Sequence, residues 1–139
     1  MIKRPLNPQF SSAVLEGRKF TTIREKPWPV GVPIMLYNWS GAAYRSKQID
    51  VCTVVVDGTT EIQITNDPKI GMRYSIYAAD QIALWSTEGF DSRVGLDNWF
   101  RPLVKSGQTI TKHLMRFRRT NADVDAPADK KTKPTKLND

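Results

Sequence analysis

The strongest constraint on the fold is a pair of strand-like segments, residues 49–56 and 60–65, on either side of the dipeptide Asp57-Gly58. The second segment alternates apolar and polar side chains, a pattern typical of a strand with one buried face. Asp-Gly tolerates the positive φ angles of a tight hairpin turn. The pattern therefore predicts a β-hairpin across residues 49–65.

Further strands and three helices are predicted around this hairpin. The strands are predicted at residues 20–24, which are rich in Thr and Ile, at 32–39, which have apolar residues on both faces, and at 73–77 and 109–118. Helices are predicted at residues 8–16, where Asn7 can cap the first turn, at 80–87 and at 92–100. Helical spacing predicts one core-facing apolar stripe on and just after the last helix, formed by Leu96, Trp99, Phe100 and Leu103. Mostly antiparallel strands, an N-terminal helix and a helical insert before the last strand predict an α+β domain around a small β-barrel.

The excess of basic residues is confined to this predicted domain. The chain has a formal net charge of +7, and residues 120–139 hold four Lys against four Asp, so the whole excess lies in residues 1–119. The last 20 residues have few large apolar side chains, which predicts a disordered tail. A basic domain favours anionic partners, nucleic acid first; the alternative is that the charge only keeps the domain soluble.

Composition also excludes several classes of protein. A single cysteine, Cys52, permits no internal disulfide, and a single histidine, His113, leaves no Cys–His zinc site. No apolar run approaches the roughly 18–20 residues of a membrane span, and the first residues lack the apolar stretch of a signal peptide. We therefore expect a cytoplasmic protein that uses no metal, no cofactor and no membrane.

The most specific string is Gly-x-Lys-x-x-Thr-x-Arg, from Gly17 to Arg24, where the first predicted helix gives way to a strand. Trp-Pro-Val-Gly follows at residues 28–31, and Glu-Gly-Phe comes later, at residues 88–90. In this order the motifs resemble those of the ASCH family, whose domains have a PUA-like barrel. The resemblance covers residues 1–119 and implies a PUA-like version of the predicted α+β fold.

Small bacterial N4-acetylcytidine amidohydrolases of that family use a lysine, a threonine three residues later and a distant glutamate. The resemblance implies that Lys19, Thr22 and Glu88 are catalytic: a base that must be neutral, a nucleophile and an acid. The implied reaction is removal of the acyl group from N4-acetylcytidine or a related modified pyrimidine nucleoside. Because strand side chains alternate, Lys19 must belong to the turn after Gly17 and Thr22 to the strand proper.

Other residues are candidates for contact with the substrate. They are an arginine of the motif, two tryptophans beside turns and three members of a short basic loop: Arg24, Trp28, Trp39, Tyr44, Arg45 and Lys47. The indole rings can stack on a base or fill the core, and the loop suits a phosphate or an extruded base. Two other tryptophans, Trp85 and Trp99, are assigned to the core.

Two alternatives to the amidohydrolase stay open at this point. In one, the basic face binds RNA, and contacts to phosphate make the affinity depend on salt. In the other, a neutral Lys19 deprotonates a ribose 2′-hydroxyl and the domain is a ribonuclease. The expected partner is thus a modified nucleoside or RNA.

Overall fold

Six strands and a few short helices form the part of the protein described by the computed structural model, residues 1–75 and 84–120. The strands are β1 (Ile2–Pro5), β2 (Thr21–Arg24), β3 (Pro33–Trp39), β4 (Gln48–Asp67), β5 (Gly71–Tyr74) and β6 (Thr109–Arg119). The helices whose whole range is described are α1 (Ser11–Leu15), α2 (Arg93–Phe100) and two 3₁₀ turns, Pro8–Phe10 and Arg101–Leu103. The predicted α+β class is confirmed.

The strands form one mixed, open sheet in the order β1-β3-β4-β6-β2, and β5 pairs with β4. The β1–β3 pairing is parallel and the other pairings are antiparallel. Among the described strands the ladder does not close into the predicted barrel, because β1 and β2 lie at its two ends. A side chain joins these ends instead: Arg24 Nη2 donates to the Pro5 carbonyl oxygen at 2.9 Å.

The predicted hairpin at Asp57-Gly58 is wrong. Residues 48–67 form a single long strand, β4, and its ladder with β6 runs from Val54 to Thr65. Asp57 is the extra residue of a β-bulge in this ladder, where the register shifts between Val56 and Gly58. Because β3 pairs with residues 48–55 and β6 pairs with residues 54–65, both segments have other partners and do not pair with each other.

The bulge lets β4 contribute to two hydrophobic cores. Before it, Val56 lies opposite Phe117, and both are buried in a cluster with Leu36 and Val54. After it, Ile64 lies opposite Ile110 and packs in a second cluster with Leu96 and Phe100. Residues 110 and 117 point to opposite faces of β6, since strand side chains alternate. The two cores therefore lie on opposite faces of the sheet.

Helix ends in the N-terminal segment follow local sequence signals. Asn7 Oδ1 accepts from the Gln9 backbone N–H at 3.1 Å, Pro8 opens the first 3₁₀ turn, and α1 follows it directly. Gly17, with φ of +79°, lies in the left-handed region that favours glycine, and the chain leaves the helix there. The predicted helix at residues 8–16 is thus a 3₁₀ turn joined to a short α-helix.

The insert before β6 differs in part from its prediction. Residues 84–87 are helical, while the rest of the helix predicted at residues 80–87 lies outside the described residues. Leu96 and Phe100 are buried as predicted, but Trp99 is 40% exposed and Leu103 is 56% exposed, so the assignment of these two to the core is wrong. Nothing is described beyond Thr120, where the tail was predicted. No helix in residues 1–75 or 84–120 has the length and apolar character needed to cross a bilayer.

Candidate active site

A cavity of about 410 Å³ lies between β2, the first 3₁₀ turn and α2. This volume is within the usual range for sites that bind small molecules. The three residues predicted to be catalytic, Lys19, Thr22 and Glu88, all line the cavity. Arg24 and Trp39, predicted to contact the substrate, also line it. The structure therefore brings together residues that are up to 69 positions apart in the chain.

Lys19 and Thr22 reach the same cavity because they belong to different local structures. The Lys19 backbone N–H donates to the Ala13 carbonyl oxygen at 3.0 Å, which holds Lys19 in the turn after α1. Thr22 lies within β2, opposite Met115 of β6. Lys19 thus lies in the turn and Thr22 in the strand, which is the arrangement that the alternation of strand side chains requires if both are to face one cavity.

The Lys19 amine is enclosed by acceptors and by an aromatic ring. The residue is 4% exposed, and Nζ donates to the carbonyl oxygens of Thr21 at 2.7 Å and Glu88 at 2.9 Å. Nζ also lies 3.7 Å from Glu88 Oε1 and 4.9 Å from the centre of the Phe10 ring. A neutral amine has two N–H groups, which these two carbonyls can accept, so its lone pair remains available to take a proton.

Burial is the main cause of a lowered pKa of Lys19, because desolvation disfavours the ammonium form. The negative charge of Glu88 opposes this effect, and the positive charge of Arg24 adds to it. The net direction is downward from the usual 10.5. A lysine of this kind is a candidate general base.

Glu88 is held by a hydroxyl from β2 and by the end of the helical segment at residues 84–87. The Thr21 Oγ1 hydroxyl donates to Glu88 Oε2 at 2.5 Å, and Thr21 Oγ1 lies 2.9 Å from Thr87 Oγ1. The Glu88 backbone N–H donates to the Leu84 carbonyl oxygen at 3.0 Å. With Glu88 only 5% exposed, these contacts fix its carboxyl beside Lys19.

Thr21 is a positioning residue that the sequence analysis missed. The Gly-x-Lys-x-x-Thr-x-Arg motif does not specify the residue at position 21. Alternation along β2 does give its direction, because adjacent residues such as Thr21 and Thr22 point to opposite faces of a strand. Thr22 lines the cavity, and Thr21 orients the carboxyl of Glu88 from the other face.

Arg24 organises the nucleophile candidate. Arg24 lies two residues after Thr22 on the same face of β2, and its Nε donates to Thr22 Oγ1 at 2.9 Å. Because the Thr22 oxygen accepts from a cation, its own hydrogen is free to be donated, and negative charge on the oxygen is stabilised. The guanidinium is itself fixed by Pro5 and by the Trp28 ring, whose centre lies 4.7 Å away.

The other predicted contact residues occupy three different environments. Trp28 is 5% exposed, packs in the first core and does not line the cavity. Trp39 forms part of the wall. Tyr44, Arg45 and Lys47 are exposed in the loop between β3 and β4, outside the wall. The same loop does contribute Gly41 and Ala43 to the wall, so it lies at the rim of the cavity.

An aromatic cluster that the sequence analysis missed forms the side of the cavity next to α2. Phe10, Phe90 and Trp99 meet edge to face, with ring centres 5.1 to 5.9 Å apart. Trp99 falls on the predicted apolar stripe of its helix, but the stripe faces a cavity at this point rather than packed side chains. Periodicity indicates which face is apolar and does not distinguish a core from a cavity wall.

The described residues include no group of three or more His, Cys, Asp and Glu side chains placed to hold a metal ion.

Comparison with known proteins gives two structural matches. No family model matches the sequence, and no curated protein does. The chain is similar to the crystal structures of two point mutants of ZmASCH from Zymomonas mobilis. A serine-to-alanine mutant has a TM-score of 0.46 and 13% identity over 96% of this chain and 82% of that one. A tyrosine-to-phenylalanine mutant has a TM-score of 0.45 and 12% identity, over 96% and 84%. Both structures carry the name of the ASCH family.

Gly89 allows the chain to pass close to Lys19, which predicts a large effect of an added methyl group. Its φ is +93°, and a Cβ there would lie 3.1 to 3.2 Å from the side chains of Phe10 and Lys19. Gly17 has a similar φ of +79° but open space around it. We expect Gly89→Ala to lower the free energy of unfolding more than Gly17→Ala, by at least about 1 kcal/mol, because crowding adds to backbone strain. Urea denaturation of both variants measures the difference, and equal losses would contradict the packing described.

Proposed function

We propose that the protein is a metal-independent amidohydrolase that removes the acyl group from N4-acetylcytidine or a related N4-acylated pyrimidine nucleoside. The observation that carries this proposal is a buried amine with a lowered pKa, held beside a carboxyl in a cavity that also contains a threonine hydroxyl. These are the groups that hydrolysis of an exocyclic amide requires. The resemblance of the Gly17–Arg24 string to ASCH-family amidohydrolases supports the same reaction.

In the proposed first step, Thr22 Oγ1 attacks the acyl carbon and its proton passes to Lys19. The two groups share no hydrogen bond in the described structure, so a water or the bound substrate joins them during the reaction. Arg24 Nε, 2.9 Å from Thr22 Oγ1, stabilises the charge that develops on the attacking oxygen. Attack gives a tetrahedral intermediate in which the acyl carbon is bonded to both Thr22 and the exocyclic nitrogen.

In the proposed second step, the carbon–nitrogen bond breaks and the nitrogen takes a proton. Lys19 Nζ lies 3.7 Å from Glu88 Oε1, so the proton removed from Thr22 can pass through Glu88 to the departing amine. The acyl group is left as an ester on Thr22. Water then attacks this ester with Lys19 as base, which releases the carboxylic acid and returns the proton to Thr22.

The aromatic lining of the cavity supports a flat heterocyclic substrate. Trp39 lies on one part of the wall, and Phe10, Phe90 and Trp99 lie on another. Stacking of a base on an aromatic side chain is worth roughly 1–3 kcal/mol. Such contacts hold a pyrimidine ring while its acyl group reaches the polar residues.

The proposal is tested by incubating the protein with N4-acetylcytidine and following cytidine by absorbance and acetate by an enzymatic assay. We expect the two products in equal amounts. A parallel incubation with a single-stranded RNA lacking acetylcytidine distinguishes the alternatives. Cleaved RNA without release of acetate would replace the amidohydrolase with a ribonuclease. Salt-dependent RNA binding without release of acetate would replace it with a binding module.

The lowered pKa of Lys19 predicts how the rate depends on pH. The neutral amine is the active form, so kcat/KM should rise with pH and level off above the pKa of Lys19, which lies below 10.5. Arg24 helps to lower this pKa, so Arg24→Gln should move the rising limb to higher pH in addition to lowering the rate. Arg18→Gln is the matched control, because Arg18 is exposed and pairs with Glu16. If the rising limb of kcat/KM lies at the same pH in Arg24→Gln as in the wild-type protein, the effect of the Arg24 charge on the pKa of Lys19 is contradicted.

A further inference from the structure

The rim of the cavity carries an aromatic ring that the proposed reaction does not use. Tyr44 is 87% exposed, and its ring packs at a tilt on Trp39, with ring centres 5.3 Å apart. Trp39 in turn meets Tyr37 edge to face at 5.4 Å. The wall of the cavity is therefore continued outward by a phenol ring whose outer surface is open to solvent.

The loop that holds Tyr44 is braced by its own hydrogen bonds. Ser46 Oγ accepts from the Gly41 backbone N–H at 2.9 Å and donates to the Ala42 carbonyl oxygen at 2.8 Å. The backbones of Ser40 and Lys47 are joined at 2.8 Å. These contacts keep Tyr44 at φ of +64°, a conformation that is uncommon for a large residue and that is found at binding sites more often than elsewhere.

Two cations follow Tyr44 in the same loop. Arg45 and Lys47 are both exposed, and within the described residues neither forms an ion pair. Exposed cations beside an aromatic platform are the combination that binds the backbone and bases of a single strand. A free nucleoside has neither a phosphate for these cations nor a second base for the ring, so these three residues favour a substrate with a neighbouring nucleotide.

Building on the proposed function, we infer that the substrate is an N4-acylated cytidine within a single-stranded polynucleotide. The acylated base enters the cavity, the adjacent base stacks on Tyr44, and the phosphates between them lie near Arg45 and Lys47. The enzyme then acts on a nucleic acid strand, and the free nucleoside is a poorer substrate.

The test compares N4-acetylcytidine with a trinucleotide that carries the same acetylated base at its centre. We expect kcat/KM to be about tenfold higher for the trinucleotide, because the free energy of stacking one additional base on Tyr44 corresponds to a factor of about that size. Tyr44→Asn removes the ring but tolerates the positive φ, so the loop keeps its shape. It should lower the ratio of the two kcat/KM values towards one. Tyr44→Phe keeps the ring and is the matched control, which should preserve the ratio.

Salt dependence gives a second measurement. The double variant Arg45→Gln/Lys47→Gln should reduce the slope of log kcat/KM against log salt for the trinucleotide by about 0.7 for each cation removed. Equal kcat/KM for nucleoside and trinucleotide, or an equal loss for both in Tyr44→Asn, would overturn the inference and leave the proposed function standing. If acetate is released from neither the nucleoside nor the trinucleotide, the inference and the proposed function are both overturned.

Discussion

Replacement of Lys19 by methionine is expected to lower kcat/KM for N4-acetylcytidine by about 10²–10⁴-fold. This is the range that a positioned general base contributes to a rate. Methionine is apolar and of similar length, so it fills the space between Phe10 and Gly89 without a group that can take the Thr22 proton. The measurement is kcat/KM across the pH range, in which the rising limb assigned to Lys19 should also disappear.

The same variant is expected to lose stability, so activity must be separated from folding. At pH values below the pKa of Lys19, the variant leaves the Glu88 carboxylate buried without its pairing cation, which costs about 3–5 kcal/mol in comparable ion pairs. The double variant Lys19→Met/Glu88→Gln removes both charges and should recover most of the free energy of unfolding. It should remain inactive. A folded double variant with wild-type kcat/KM would rule out the base and acid roles together.

Replacement of Thr22 by valine is expected to lower kcat/KM by at least about a thousandfold, because it removes the nucleophile on which the other groups act. Valine has the same shape and suits a strand, so β2 should keep its pairing with β6. Arg24 Nε loses its acceptor, which adds a modest loss of stability. Thr22→Ser keeps the hydroxyl and should retain activity within about tenfold.

An acyl-enzyme on Thr22 is the direct signature of this role. Acid quenching of the wild-type protein during turnover, followed by peptide mass spectrometry, should detect an acetyl group on the peptide that contains Thr22. The peptide from Thr22→Val should lack it. Turnover by Thr22→Val at the wild-type rate would instead assign the attack to a water molecule.

The resemblance of the motifs supplied the candidate residues of the site, and local features of the sequence predicted where two of them lie. Gly17 marks the end of the first helix, and the residue types that follow predict a strand, which is enough to place Lys19 in a turn and Thr22 on a strand face. The cavity around Lys19 was not predictable, because the carbonyl of Glu88 and the ring of Phe10 reach the amine only through the tertiary fold. The role of Thr21 depends on Glu88 in the same way.

The errors in the predicted fold also come from long-range partners. Asp57-Gly58 suits a hairpin when only its neighbours are considered, but β6 pairs with both flanking segments, and the dipeptide falls at a bulge instead. Trp99 lies on an apolar helix face that borders a cavity. Whether the sheet closes depends on whether β1 and β2 pair with each other. A single side-chain hydrogen bond from Arg24 to the Pro5 carbonyl oxygen joins the two strands in place of a backbone ladder.

The ionisation of residue 19 in the folded protein can be read directly by NMR. The carbon-13 shift of its ε-carbon, assigned by its absence in Lys19→Met, gives the pKa as the sample is titrated upward from neutral pH. A midpoint below 10.5 is predicted, with ordinary surface lysines as internal references. A midpoint at or above 10.5 would mean that the amine stays charged while buried, and it would contradict the catalytic base on which the whole account depends.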